Sequence, residues 1–307
     1  MKSYLYKPMV TLISKDTSIV NKLAKALDKS TGDLLNRDFE AIASEFLARD
    51  RAIEQIELFK SEISKTCNID FTGKKLLEIG AGVGTFLITA RKDYGIEAIG
   101  IEPSKDEFSP FNEISNALLE EYNLPKNIVI NGAAENLPFP DESFDLIYST
   151  NVLEHVQDPQ KVLRESIRVL KVGGFLQFVI PSYFSFWEGH YGIFWPCITN
   201  KTLAKLYAKL IRQNPNYIDT LQLISPFFLK KILRSADVKN KIEILGWGKD
   251  IFKMRLATGN YSDWASLRKI RQIVEFVQKL KLASLAANIL NIFEMYTPIV
   301  LTLRKIA

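Results

Sequence analysis

One eight-residue stretch limits this chain more than any other: Glu78-Ile-Gly80-Ala81-Gly82-Val-Gly84-Thr85. An apolar run, KKLLEIG, leads into it, and TFLITARKDY, whose spacing predicts a helix, leads out. That is a strand, a glycine-rich turn and a helix, the opening unit of a parallel sheet. Glycine at alternate positions lets the backbone turn tightly and lets a ligand approach where a Cβ would stand. A dinucleotide fingerprint needs its third glycine at position 85, which is Thr, and no Gly-Lys-Ser/Thr triplet of a phosphate loop follows. A carboxylate two residues ahead of Gly80 opposes a phosphate and suits a ligand carrying an ammonium or sulfonium charge.

The alternation then repeats. AIGIEPS (98–104), NIVINGAA (127–134), FDLIYSTNV (144–152) and GFLQFVIPS (174–182) read as strands. A helix from about Pro159 to Leu170 is closed by Lys171 and the Gly173-Gly174 pair. The fold class expected is α/β, a Rossmann-like, doubly wound, mostly parallel sheet. In such sheets ligands bind beyond the carboxyl ends of the strands, where the strand order reverses.

The rest of the chain is arranged around this core. Residues 1–70 predict an N-terminal helical cap, with apolar positions from Phe39 to Ile63 at helical spacing. Residues 71–182 form the core, and 183–225, dense in aromatic and basic residues, an insertion lying over the strand ends and facing the substrate. Residues 226–260 are expected to finish the sheet with a pair of strands, KIEILGW (241–247) and IFKMRLAT (251–258), after a helix that Ser225 caps and Pro226 opens. Residues 261–307 predict a helical extension, apolar from Leu282 to Leu303 and flanked by Lys279, Lys281, Arg304 and Lys305, which would pack on the domain, on a second subunit or on a membrane surface.

The net charge of +5 conceals an asymmetry. Residues 1–181 carry 21 Lys+Arg against 27 Asp+Glu, and residues 182–307 carry 19 against 8. The basic half suggests a negatively charged partner, such as a phosphorylated substrate, anionic lipid or nucleic acid, or else a solvated surface. Cys67 and Cys197 are the only cysteines, so neither a zinc cluster nor a disulfide framework is expected, and no metal is expected either. With no signal-like apolar core near residue 1, the expected location is cytoplasmic or peripheral to a membrane.

Five motifs in order carry a resemblance. The glycine turn is followed by Ile-Gly-Ile-Glu102-Pro103-Ser, by Ala134-Glu135-Asn-Leu137-Pro-Phe-Pro-Asp-Glu-Ser-Phe144-Asp145, by Asn151-Val-Leu153-Glu154-His155-Val with Asp158-Pro159, and by Leu170-Lys-Val-Gly173-Gly174. Over residues 74–182 this resembles the class I S-adenosylmethionine-dependent methyltransferases, and within them the type 11, quinone-biosynthesis-like subgroup. The resemblance implies S-adenosylmethionine as cofactor, held by Glu78, Gly80, Ala81, Gly82, Gly84, Glu102, Pro103, Ala134, Glu135, Leu137 and Asn151. Glu102 would bind the ribose hydroxyls. Many relatives have an acid before the Ala-Glu pair; here it is Ala133, so the adenine would rely on the backbone there and on Leu137.

For catalysis the candidates are His190, in Trp187-Glu188-Gly-His190-Tyr191, and His155, with Glu188 to orient His190 as a base. O-methylation of a small-molecule, glycan or lipid-linked acceptor is the expected reaction. Lys201, Lys205, Lys209, Arg212, Lys230 and Lys231 are available for phosphates. The alternatives are C-methylation of a quinone-like molecule, nucleic-acid methylation and a non-catalytic cofactor-binding module. Nucleic acid is disfavoured, because the fourth strand ends Ser149-Thr150-Asn151-Val152 and not in a Pro-Pro-aromatic motif. Oligomerisation remains open.

Overall fold

The computed structural model describes residues 11–31, 34–35, 37–103, 109–258 and 268–307. Its centre is a seven-stranded sheet of β1 (Lys75–Ile79), β2 (Glu97–Glu102), β3 (Val129–Asn131), β4 (Phe144–Thr150), β5 (Leu170–Ile180), β8 (Ile242–Gly246) and β9 (Ile299–Lys305), in the order β3-β2-β1-β4-β5-β9-β8. The order reverses between β1 and β4, and β3 through β5 are all parallel. Only β9 runs antiparallel to both its neighbours. The remaining strands, β6 (Trp187–Glu188) and β7 (Ile193–Phe194), form a separate hairpin.

Helices cover both faces. On one, α3 (Arg49–Ser64) and α4 (Thr85–Tyr94) bury Ile56, Phe59, Phe86 and Leu87 against Leu76, Leu146 and Tyr148. The Phe86 ring stacks on Tyr148 at 4.4 Å. Beside them α1 (Ser18–Thr31), α2 (Phe39–Phe46) and α5 (Ser109–Glu121) pack over the β2–β3 end of the sheet. The N-terminal helices are thus an added layer of the sheet's packing, as the amphipathic pattern predicts. On the opposite face α6 (Pro159–Val169) and α8 (Pro226–Leu233) contribute Val162, Leu163, Ile167, Leu229 and Ile232. The expected Ser225 cap is present, accepting from the Phe228 N–H, and α6 is capped by Asp158, which accepts from the N–H groups of residues 160 and 161.

Two expectations are corrected. Residues 251–258 are not a strand but most of α9 (Lys249–Thr258). Phe252, Met254 and Leu256 imitate a two-residue period, yet only Phe252 and Leu256, one helical turn apart, are buried, while Met254 is exposed. The sheet is instead completed from within the expected helical extension, where β9 follows α10 (Arg268–Lys279) and α11 (Ala283–Ile292). Ile299, Val300, Leu301 and Leu303 are fully buried, which removes this part of the apolar tail from any membrane surface. A strand buried on both faces shows no alternation, so it continues an apolar helical pattern without a visible break. Only Pro298 and the β-branched pair after it mark the change. Among the described residues no helix is long and apolar enough to cross a membrane.

Candidate active site

The first half of the site lies at the carboxyl ends of β1 and β2. Gly80, Gly82 and Gly84 all have positive φ, at 78°, 52° and 83°. The N–H groups of Gly80 and Ala81 both donate to the Ile101 carbonyl, folding the turn back onto β2. At Gly80 a Cβ would stand 2.2 Å from Val152 Cγ2, while at Gly82 it would meet nothing within 4 Å. Gly80 is therefore required by the close approach of the loop after β4, and Gly82 borders open space.

Two carboxylates frame this turn. Glu102 is buried and accepts the Gly82 N–H at 2.9 Å. Burial pushes its pKa up to about 7, against the pull of that hydrogen bond. Glu78 is also buried, its Oε2 has no hydrogen-bond partner, and burial together with the charge of Glu102 holds its carboxyl well above the usual range. An orphaned buried carboxylate oxygen beside a raised one calls for a ligand that brings positive charge and hydroxyl donors. These residues fit a cofactor with an ammonium or sulfonium group and a ribose.

The other expected cofactor residues divide. Pro103 directly follows β2, and Asn151, at the end of β4 with φ 53°, donates its N–H to the Val179 carbonyl and keeps its side chain exposed. Ala134 and Leu137 are buried in the main hydrophobic core, with the Leu137 N–H bonded to Glu165. Glu135 turns away from the glycine loop: its Oε1 accepts the Gln157 N–H at 2.8 Å and so braces the loop ahead of α6. The side chains of Ala134, Glu135 and Leu137 thus serve the scaffold, while Ala133 and Asn136 are exposed.

The second half is assembled from the insertion. The β6–β7 hairpin carries Gly189-His190-Tyr191-Gly192 at its tip. Gln222 ties the insertion to the loop after β4, its N–H donating to the Glu154 carbonyl and its amide to the carbonyl of Val156. This places the hairpin over the strand ends and brings the chain's two histidines together, with Nε2 of His190 3.3 Å from Nε2 of His155. Nδ1 of His190 lies 2.7 Å from Oε1 of Glu188, whose two oxygens also accept the N–H groups of residues 190 and 191. Burial works to raise Glu188, but His190 and these N–H donors outweigh it and hold its pKa below the usual value. Burial works to lower His190, and Glu188 outweighs it in turn, so the His190 pKa is raised. His155, with 40 % of its side chain open, is shifted down by its protein surroundings and then by His190.

Three groups here were not assigned roles from sequence. Glu154 is fully buried with both carboxylate oxygens unpartnered, and burial pushes its pKa up to about 7. Its signal was present, a carboxylate beside a candidate histidine in a loop after a strand. Tyr183 holds its hydroxyl 3.4 Å from Nδ1 of His190. Arg37, from the N-terminal cap, donates to the carbonyls of Gly189 and His190 at 2.6 and 2.9 Å. No pattern within 37 residues of the N-terminus could have indicated that contact.

The aromatic residues of the insertion mostly form its own core. Trp195, Tyr183, Tyr191 and Tyr217 are buried, around Ala204 and Ala208 of α7 (Lys201–Leu210). Only Phe186 and Phe194, stacked at 5.7 Å, remain open faces. Part of the basic surface is also engaged internally: Lys205 pairs with Asp219, and Lys230 with Glu294.

Residues 77–178 match the family described as methyltransferase domain. Norajmaline N-methyltransferase of Rauvolfia serpentina is 39 % identical over 110 residues, 36 % of each chain. An uncharacterised methyltransferase of Mycobacterium tuberculosis is 36 % identical over 120 residues, 39 % of this chain and 42 % of the relative. The chain thus covers less than half the length of these relatives. A Galdieria sulphuraria structure, described as a candidate sarcosine dimethylglycine methyltransferase, shares the fold with a TM-score of 0.51 at 16 % identity, over 92 % of this chain and 98 % of that one. These matches extend to the methyltransferase domain and not to the quinone-related subgroup. The glycine turn, the two strand-end carboxylates and the reversed strand order all lie within or beside the segment, residues 77–178, that matches the methyltransferase-domain family.

Proposed function

We propose that this chain O-methylates a small-molecule, glycan or lipid-linked acceptor, with the histidine pair taking up the hydroxyl proton. S-adenosylmethionine supplies an electrophilic methyl carbon on a sulfonium, which leaves as a neutral thioether. Glu102 would accept the two ribose hydroxyls, and the glycine turn and Glu78 would border the charged end. The observation that carries the acceptor half is the line from buried Glu188 through His190 to the partly open ring of His155.

In that line the partly open ring of His155 is neutral near pH 7, since its pKa is lowered, and it hands a proton on to His190, whose pKa is raised. As the acceptor oxygen bonds to carbon, its proton passes to His155 and can be shared with His190, where the Glu188 carboxylate stabilises the added charge. An amine acceptor that reacts as the free base has less need of such a relay, which is why a hydroxyl is favoured. The N-methyltransferase names among the relatives concern about a third of each chain. The exposed, mutually stacked Phe186 and Phe194 of the insertion would offer an apolar face for a ring or sugar.

The test begins with calorimetric titration of S-adenosylmethionine and S-adenosylhomocysteine into wild type and Glu102→Ala. Micromolar binding that the substitution weakens at least tenfold is expected, and absence of binding by the wild type overturns the proposal. Hydroxylated glycans, polyprenyl-linked sugars and phenols, each beside an amine analogue, then separate O- from N-transfer.

A further inference from the structure

We infer that Glu154, His155 and His190 bind a divalent first-row transition-metal ion of the zinc class. Among the described residues these three offer ligand atoms within 4.8 Å of one another. The two Nε2 atoms stand 3.3 Å apart. Two imidazole nitrogens on one tetrahedral zinc-class ion, each at about 2.0–2.1 Å, are separated by about 3.4 Å. Oε1 of Glu154 lies 3.8 Å from Nε2 of His155 and its carboxylate within 4.8 Å of the His190 ligand atom, so a movement of the carboxylate by up to about 1.4 Å completes a three-ligand set.

Two further observations point to a cation. The Glu154 carboxylate is fully buried and neither oxygen has a hydrogen-bond partner. Buried carboxylates without donors are rare, and a cation at the histidine pair satisfies this one. Secondly, Glu188 lies 2.7 Å from Nδ1 of His190 and fixes that nitrogen as the protonated one. The Nε2 lone pair is then turned toward His155. A carboxylate behind a histidine is the usual support of a metal-bound imidazole, setting both its tautomer and its direction. The remaining hydrogen bonds of Glu188, to the N–H groups of residues 190 and 191, keep that support in place.

Two nitrogens and one oxygen suit zinc, cobalt, nickel or iron better than magnesium or calcium, which take oxygen ligands. Three protein ligands leave a fourth position, and 40 % of the His155 side chain is open to solvent beside it. The binding of the ion stands independently of methyl transfer. Its use rests on the proposed O-methylation: an acceptor hydroxyl at the fourth position would lose its proton more readily to solvent, and the histidine relay described above would then belong to the metal-free protein alone.

The experiment is titration of the chelator-stripped, full-length protein with Zn²⁺ by calorimetry and with Co²⁺ by visible absorption, alongside Mg²⁺. One Zn²⁺ per chain and the strong d–d bands of four-coordinate Co²⁺ are expected, with no effect of Mg²⁺. His155→Ala and Glu154→Gln should each weaken Zn²⁺ at least tenfold, and Glu188→Gln about 10- to 100-fold. S-adenosylhomocysteine titration of each variant shows whether it is folded, so the two proposals can fail separately. If the cofactor product binds but neither Zn²⁺ nor Co²⁺ does, the site is refuted and the 3.3 Å contact is a shared proton. Metal binding that survives His155→Ala and His190→Ala together also refutes it.

Discussion

The turn that carries Gly80 and the hairpin that carries His190 lie at the same end of the sheet but are built in different ways. The turn is local: residues 75 to 102 supply strand, glycines, helix and both carboxylates, and its hydrogen bonds from Gly80 to Ile101 and from Gly82 to Glu102 span 21 and 20 residues. The hairpin is long-range. His190 depends on His155, 35 residues earlier, and its backbone on Arg37, 153 residues earlier. Hydrogen bonds within one βαβ unit come with the unit, whereas contacts across such separations form only after the layers have packed. The cofactor half should therefore fail through its own geometry, and the acceptor half through loss of docking.

The largest effect is expected from Gly80→Ala. A φ of 78° and a contact of 2.2 Å to Val152 add left-handed strain to a clash, together about 2–5 kcal/mol. Denaturant unfolding should show that loss, and cofactor binding should disappear with it. His190→Ala should do the reverse, lowering kcat about 10²–10⁴-fold for an acceptor hydroxyl while S-adenosylhomocysteine affinity stays within twofold. Equal losses in both measurements would erase the separation between the two halves.

A smaller effect is set by protonation. Burial raises the Glu102 pKa from its ordinary 4.5 to about 7, so the folded state holds this proton more tightly than the unfolded chain. Its contribution to stability is therefore greatest below the unfolded value and is lost as pH rises through 7. Cofactor binding needs the ionised form as acceptor, so affinity should fall by up to tenfold per unit as pH drops below about 7. Glu102→Gln should bind weakly throughout, with a flatter pH dependence. The smallest change expected is for Arg37→Ala, about 1–2 kcal/mol in kcat/KM, expressed in the KM for acceptor and not in cofactor affinity. An unchanged acceptor KM would show that the N-terminal cap does not position the hairpin.

Much of this was written in the residues themselves. The glycine turn, Glu78 and Glu102 at strand ends, Ser225 as a cap, and the parallel alternation through β5 are short-range patterns with few alternative conformations, so their spacing determined them. The tertiary structure alone decided the rest. It made β9 the antiparallel strand between β5 and β8, because an apolar run buried on both faces has no period to read. It also turned Glu135 to brace a loop and gathered the insertion's aromatics into a core. Above all it joined His155 to His190 and left the Glu154 carboxylate beside them without a hydrogen-bond donor. Sequence spacing reports neighbours along a strand or helix, while that cluster exists only where separate loops meet at the end of the sheet.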